Sequence, residues 1–160
     1  MSPARDPWLR HDEQLAWRAY LRGSRLLEEA LDDDLGGTCQ LTEYELISML
    51  SEAPGRRMRM SELADTIIQS RSRVTHTASR LERRGWVRRE RSHDDGRGVD
   101  IMLTDAGMRA LLELAPRHAA SVRARLVDVL DHEQLMVLGE AMAAIRDHLA
   151  PDHHEIGIDD

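Results

Sequence analysis

Residues Ser61–Leu103, SELADTIIQSRSRVTHTASRLERRGWVRRERSHDDGRGVDIML, contain the pattern that decides the fold. A short helical pattern begins at Ser61, which is its predicted N-cap. A break at residues 68–70 separates it from a second helical pattern over residues 71–84. Two helices joined by so short a turn are typical of a helix-turn-helix unit.

Two strand-like runs follow Gly85, over residues 86–91 and 99–103, and residues 93–98 between them have turn composition. In the second run every other residue is assigned to a buried face: Val99, Ile101 and Leu103. Asp100 is assigned to the opposite face. Two helices followed by a hairpin predict a mainly α chain with a small β-hairpin wing, the winged helix-turn-helix fold.

The second helical pattern has two chemically different faces at 100° per residue. The inner face is apolar or small: Val74, Thr77, Ala78 and Leu81. The outer face has no acidic residue and no large apolar residue: Ser72, Arg73, His76, Ser79, Arg80 and Arg83. Arginines and hydroxyls on successive turns suit guanine edges and phosphate oxygens in a major groove. The alternative is an ordinary solvated basic face, and the adjoining hairpin favours DNA.

Candidate DNA contacts follow from this geometry. The predicted contacts on the second helix are Ser70, Ser72, Arg73, Thr75, His76 and Arg80. At the hairpin tip, Arg97 is predicted to enter the minor groove, with Asp95 bracing its guanidinium. Arg88 and Arg89 are assigned either to phosphate contacts or to ion pairs within the wing.

Several short motifs in this region resemble the MarR family, the multiple-antibiotic-resistance type of bacterial transcription regulators. The matching stretches are SELAD (61–65), SRSRVTH (70–76), LERRGWVRR (81–89), and DGRG (95–98) with LTDAG (103–107). The last two stretches are the specific ones. The resemblance implies a homodimer that binds a pseudo-palindromic operator in double-stranded DNA and releases it on a signal, most simply as a repressor.

The family also implies an effector pocket between the dimer helices and the DNA-binding lobe, often for a small aromatic acid. By position, the candidate pocket residues are Trp17, Arg18, Arg22 and His118. The alternative assigns Trp17 to packing, the arginines to ion pairs and His118 to a hydrogen-bonded structural role.

The charge distribution agrees with a DNA-binding face on an acidic body. The chain has 160 residues and a formal net charge of −7. Residues 56–98 contain 12 arginines and 6 acidic residues, a balance of +6. The other residues contain 10 arginines and 23 acidic residues, a balance of −13. A basic segment in an acidic frame indicates local nucleic-acid binding.

The flanking sequence predicts further helices around this lobe. An amphipathic helix is predicted over 11–35. A second helix is predicted to begin with a capping box at Thr42–Glu45, and a short strand is predicted within 56–60. Thr104 is the predicted N-cap of a helix reaching about residue 130 with a kink at Pro116. Asp131 and Gln134 open a last helix that stops at Pro151. We expect one domain over 1–160, with dimerisation helices at 11–35 and 104–150 and a DNA-binding lobe at 42–103.

Other chemistries find little support. The sequence has no catalytic or nucleotide-binding motif, so no enzyme activity and no cofactor are expected. The single cysteine, Cys39, fits a reducing cytoplasm, and no apolar run approaches the ~20 residues of a membrane span. The histidine-rich C-terminal cluster from His148 onward is assigned to a polar end rather than to a metal site. The competing class is a winged-helix protein-interaction module whose basic face meets an acidic partner.

Overall fold

The computed structural model describes residues 7–92 and 98–151. In chain order the helices and strands are α1 (His11–Asp34), α2 (Leu41–Glu52), β1 (Arg57–Arg59), α3 (Met60–Thr66), α4 (Arg71–Arg83), β2 (Val87–Arg91), β3 (Val99–Leu103), α5 (Asp105–Val122) and α6 (His132–Leu149). A 3-10 turn at Pro54–Arg56 precedes β1, and a π-helical turn at Arg123–Val127 follows α5.

The three strands form an antiparallel sheet in the order β1-β3-β2. Met58 of β1 is opposite Ile101, and Val87 of β2 is opposite Leu103. The short strand expected within 56–60 is confirmed. A mostly helical chain with this small sheet confirms the predicted winged helix-turn-helix fold.

The hydrophobic core lies where α2, α3 and α4 pack on the sheet and on the start of α5. Its fully buried members include Leu46, Ile47 and Leu50 of α2 and Val74 and Leu81 of α4. A second, smaller cluster formed by Leu35, Cys39 and Leu114 joins the end of α1 to α5. The segment from α2 to β3 therefore shares one core with the start of α5.

Two predicted helix starts are confirmed by side-chain caps. The Thr104 hydroxyl accepts a hydrogen bond from the Gly107 amide at 3.0 Å. Asp131 and Gln134 form the expected capping box, with the Gln134 amide 2.8 Å from Asp131 Oδ1.

Two other helix starts were placed too late. The prediction that Ser61 caps α3 is wrong, since α3 begins at Met60 after an extended Arg59. The box predicted at Thr42–Glu45 is also wrong, because α2 begins at Leu41. Gln40 is the N-cap of α2, and its backbone N–H donates to Glu43 Oε2 at 3.0 Å.

Burial along β3 differs from simple alternation. Ile101 and Leu103 are buried as predicted, whereas Val99 is 43% exposed. Asp100, assigned to the open face, is only 7% exposed. Its carboxylate accepts two hydrogen bonds from Arg57 of β1, at 2.7 and 2.9 Å. Because the charge is paired across the sheet, its burial is tolerated.

Pro116 does not break α5. The helix continues through Pro116 to Val122, and the π-helical turn follows it. The kink expected at Pro116 stays a prediction. In this turn the Asp128 amide donates to the Arg123 carbonyl five residues earlier, at 2.8 Å. Asp34 at the end of α1 accepts from Ser121 at 2.6 Å and from Arg125 at 3.1 Å, so the turn is tied to α1.

The N- and C-terminal helices leave much apolar surface uncovered. Neither α1 nor α6 has a buried residue. The exposed large apolar side chains on these two helices include Leu15, Trp17, Leu26, Val137, Ile145 and Leu149. No helix among the residues that the structure describes is long and apolar enough to span a membrane.

Gly107 provides a test of the packing between α5 and the hairpin. A Cβ atom at Gly107 would lie 2.1 Å from the Trp86 carbonyl oxygen and 2.6 Å from Leu103 Cδ1. We expect Gly107→Ala to lower the free energy of unfolding by about 1–3 kcal/mol, because the backbone carbonyl cannot move aside freely.

Urea denaturation followed by circular dichroism measures this effect. Ser61→Ala, an exposed position on α3, is the control. The control should change the free energy of unfolding by less than about 0.5 kcal/mol. Equal stability of Gly107→Ala and the parent protein would contradict the described packing.

Candidate nucleic-acid interface

Helix α4 presents one face to the core and the other to solvent. Its buried residues are Val74, Thr77, Ala78 and Leu81, as the periodicity predicts. The side chains on the opposite side are exposed: Ser72, Arg73, Thr75 and His76. The exposed face of α4 is therefore basic and polar, and the buried apolar stripe on the opposite face holds the helix against the core.

Local hydrogen bonds fix the start of this helix. Ser70 is the N-cap, and its hydroxyl accepts from the Arg73 amide at 3.4 Å. The hydroxyls of Ser70 and Ser72 lie 3.2 Å apart. Thr75 donates its hydroxyl to the Arg71 carbonyl at 2.8 Å, so its oxygen can still accept from a ligand. The first two turns thus expose hydroxyl oxygens next to arginine.

Arg73 and His76 are exposed on this face and have side chains unpaired among the described residues, as has Arg83 farther along the helix. Neither forms a hydrogen bond or ion pair through its side chain with any residue in the described ranges. Both line a groove of about 350 Å³ between α4, the end of α1 and the start of α2. Its other lining residues are Asp32, Gln40, Thr42, Gln69, Thr77 and Arg80. This arrangement leaves both groups available to an incoming ligand.

Arg80 is held differently from Arg73. Its Nε donates to Glu43 Oε1 at 3.0 Å, and its side chain is 37% exposed. Glu43 is only 1% exposed, on the first turn of α2. The structure therefore places the predicted contact residue Arg80 in an ion pair within the lobe.

Glu43 is the functional residue that sequence reasoning missed. Its carboxylate also lies 3.7 Å from Arg84 Nη1 and caps α2 through the Gln40 amide. A buried carboxylate is tolerated only when charges and donors surround it, and these partners come from α4 and the loop before α2. In the sequence, Glu43 lies three positions after Gln40, which is the spacing of a capping box. The capping box predicted at Thr42 hid this alternative.

Arg84 completes this junction. Its guanidinium donates to the Thr38 carbonyl and lies 4.9 Å from the centre of the Trp86 ring, a cation–π distance. Glu43, Arg80 and Arg84 together join the second half of α4 to the start of α2. We call these three residues the Glu43 clamp.

Arginines of the wing are engaged in ion pairs. Arg88 lies 2.8 Å from Glu90, and Arg89 donates from Nε to Glu82 at 3.0 Å. The bond from Arg89 lowers the pKa of the Glu82 carboxyl. Of the two roles predicted for Arg88 and Arg89, the structure shows the ion pairs. The predicted minor-groove residues, Asp95 and Arg97, lie outside the described residues.

A second cavity, of about 540 Å³, lies between α1, α2, α5 and the turn before α4. His118 lines it, and its ring packs on Tyr44 with centroids 4.2 Å apart. The structure brings only His118 of the four predicted pocket residues to this cavity. Trp17, Arg18 and Arg22 are exposed along α1 and do not line it.

Cys39 is buried, and the described residues contain no group suited to a metal. Burial, reinforced by the nearby Glu43 carboxylate, raises the pKa of the Cys39 thiol to about 12. A thiol with so high a pKa is a poor nucleophile at neutral pH. Within residues 7–92 and 98–151, no cluster of three histidine, cysteine or acidic residues could hold a metal ion.

Comparison with known proteins shows which family this chain belongs to. Residues 40–99 match the MarR family model. In a match of 75 residues, the chain is 32% identical to the transcriptional repressor MprA of Escherichia coli. That match covers 47% of this chain and 43% of MprA, so the chain spans less than half the length of this curated relative.

Solved structures match over nearly the whole chain. Sco3205, a MarR family transcriptional regulator from Streptomyces coelicolor in complex with DNA, is 41% identical with a TM-score of 0.88, covering 93% of this chain and 95% of its own. AbsC from the same organism is 40% identical with a TM-score of 0.85, covering 92% and 100%. These relatives are regulators and not enzymes. The chain, with its exposed basic helix beside a three-stranded wing, belongs to the MarR family of transcriptional regulators.

Proposed function

We propose that this protein is a homodimeric repressor that binds a pseudo-palindromic DNA operator and responds to a small ligand. The observation that carries the proposal is the exposed face of α4, where Arg73 and His76 have no side-chain hydrogen bond or ion pair with the described residues. The 41% identity to Sco3205, whose structure is a DNA complex, supports the same reading.

The proposed DNA contacts are to the major groove, to a phosphate and to the minor groove. Ser72, Arg73, Thr75 and His76 face base edges in the major groove, and Ser70 binds a phosphate at the helix N-terminus. Asp95 and Arg97 at the wing tip serve the minor groove. Arg80 acts through the Glu43 clamp, which sets the orientation of α4 on the lobe.

The dimer is proposed from the uncovered helices. Exposed apolar side chains on α1 and α6 give a large surface that a second copy can bury. Residues 11–35 and 104–150 form this platform, and residues 42–103 form the DNA-binding lobe. Two recognition helices must lie about 34 Å apart to read successive major grooves, and the platform sets that separation.

Repression and ligand response rest on the relatives and on the cavity. MprA is named a transcriptional repressor, and a repressor acts by occupying its operator. The 540 Å³ cavity lies between α1 and α4, so a molecule bound there can change the angle between the platform and the DNA-binding lobe. Such coupling is typically worth ~1–3 kcal/mol.

Replacing Arg73 tests the DNA face. We expect Arg73→Ala to weaken operator binding by about 1–3 kcal/mol, roughly 5–150-fold, because its guanidinium contacts a base edge or phosphate. Fluorescence anisotropy with a duplex selected from genomic fragments measures the affinity. Arg10→Ala, an exposed arginine that precedes the proposed platform, is the control and should bind as the parent does.

The salt dependence of the same binding separates DNA recognition from a protein-interaction module. Binding to duplex should fall with log salt at about −0.9 per phosphate neutralised and should prefer one sequence. Unchanged affinity in Arg73→Ala, with no preference among sequences, would contradict the proposal.

The Glu43 clamp is tested by a double-mutant cycle. We expect Glu43→Gln and Arg80→Ala each to weaken operator binding, and the double variant to bind no more weakly than Glu43→Gln alone, because both changes break one interaction. Urea denaturation should show a loss of about 1–3 kcal/mol in each single variant. Additive losses in DNA affinity would instead assign Arg80 a direct contact.

The dimer is tested by size-exclusion chromatography with light scattering. The chain mass is 18.2 kDa, and we expect a particle of twice that mass at micromolar concentration. Replacing Leu26 by glutamate on the exposed face of α1 should shift the particle toward the monomer, because a charge cannot be buried there unpaired. A monomeric parent protein would overturn the dimer.

A further inference from the structure

The 540 Å³ cavity between α1, α2, α5 and the turn before α4 has the size of a small organic ligand site. Apolar walls come from Leu31, Leu41, Met49 and Ile67. The packed rings of Tyr44 and His118 add an aromatic surface. The cavity therefore suits a ligand with an apolar or planar body.

The charges on its walls are predominantly negative. Two carboxylates line the cavity, Glu28 of α1 and Glu45 of α2, against one guanidinium, that of Arg73. Burial lowers the pKa of His118, so this ring is neutral at pH 7. Burial also raises the pKa of Tyr44, which stays a neutral phenol. The lining thus carries one net negative charge.

Glu45 has one carboxylate oxygen left for a ligand. One of its oxygens accepts from Gln69 Nε2 at 2.9 Å, and the other accepts no hydrogen bond from the described residues. Burial is the main reason that the pKa of Glu45 is raised; the nearby Glu28 carboxylate raises it further, whereas the bond from Gln69 and the charge of Arg73 lower it. A cation bound at the free oxygen would favour the charged carboxylate further.

His118 contributes its ring to the lining rather than a polar atom. Its Nδ1 atom is covered by protein and has no hydrogen-bond partner among the described residues. The ring packs on Tyr44 and forms the aromatic wall with it. The ring face of Tyr44 also favours a positive charge.

We propose that this cavity binds an organic cation, an ammonium or amidinium group on an apolar or aromatic body, with Glu45 holding its charge. An aromatic acid, the ligand class that the family resemblance implies, would face two carboxylates here. Its one favourable partner would be Arg73, a residue of the proposed DNA face.

The cavity is connected to the recognition helix through Gln69. This residue donates to Glu45 and immediately precedes Ser70, the N-cap of α4. A cation that pairs with the free oxygen of Glu45 shifts the carboxylate to which Gln69 donates. The bound cation thereby loosens the turn that positions α4, and this regulatory part rests on the proposed DNA binding.

Matched probes of opposite charge test the ligand class. Isothermal titration calorimetry of the full chain is carried out with tryptamine and indole-3-acetate, phenethylamine and phenylacetate, and benzamidine and benzoate. We expect at least one cation to bind about tenfold or more tightly than its carboxylate partner, because only the cation forms a charge-assisted pair. Tighter binding of the carboxylates, or binding of none of the cations at millimolar concentration, overturns the proposal.

Variants then locate the site. Glu45→Gln should weaken binding of the cation about tenfold, because a neutral amide replaces the charged partner. Glu29→Gln, a neighbouring exposed acid on α1 that does not line the cavity, should bind the cation as the parent does. Glu28→Gln provides a second lining variant should Glu45→Gln lose its fold by circular dichroism. Equal affinity in the folded lining variants and the parent overturns the site.

DNA binding is measured separately, so the two proposals fail independently. A cation that binds and weakens duplex affinity in the parent, but not in Glu45→Gln, supports both. Duplex binding without cation binding leaves the DNA proposal standing and overturns this one. Cation binding without duplex binding supports the cavity and removes the proposed function.

Discussion

The burial of a narrow stripe on α4 is the constraint on which the rest of the molecule depends. Val74, Ala78 and Leu81 are fully buried against α2 and the sheet, and the residues between them on the other side of the helix are left to solvent. Because the stripe is narrow, Ser72, Arg73, Thr75 and His76 remain exposed. The Glu43 clamp then fixes the C-terminal half of α4 against the start of α2.

Arginine has two separate roles in this lobe. Arg57, Arg80 and Arg89 pair with Asp100, Glu43 and Glu82, and these pairs hold the sheet, the helices and the wing together. Arg73 is left without such a partner among the described residues. A positive charge balance over the segment as a whole thus does not show which arginines are unpaired; that depends on where the few acidic residues lie. The buried carboxylates decide which guanidinium groups remain available.

Much of the fold follows from periodicity and from the identity of the cap residues. The inner face of α4, the strand at 99–103 and the caps at Thr104 and Asp131 depend on local patterns, and local patterns are visible in sequence. Asp100 and Glu43 could not be placed in this way, because their burial depends on arginines 43 and 37 positions away in the chain. The cavity has the same origin, since α1, α2 and α5 meet only in the folded chain.

The π-helical turn after α5 has a consequence for the direction of α6. Such a turn inserts one residue into the helix, and one residue corresponds to about 100° of rotation about the helix axis. At the end of α5 the turn therefore changes the direction in which the chain leaves the helix toward α6. Asp34 secures this exit through Ser121 and Arg125. A one-residue insertion or deletion here would change the direction of α6, and with it the apolar surface that the proposed dimer would bury.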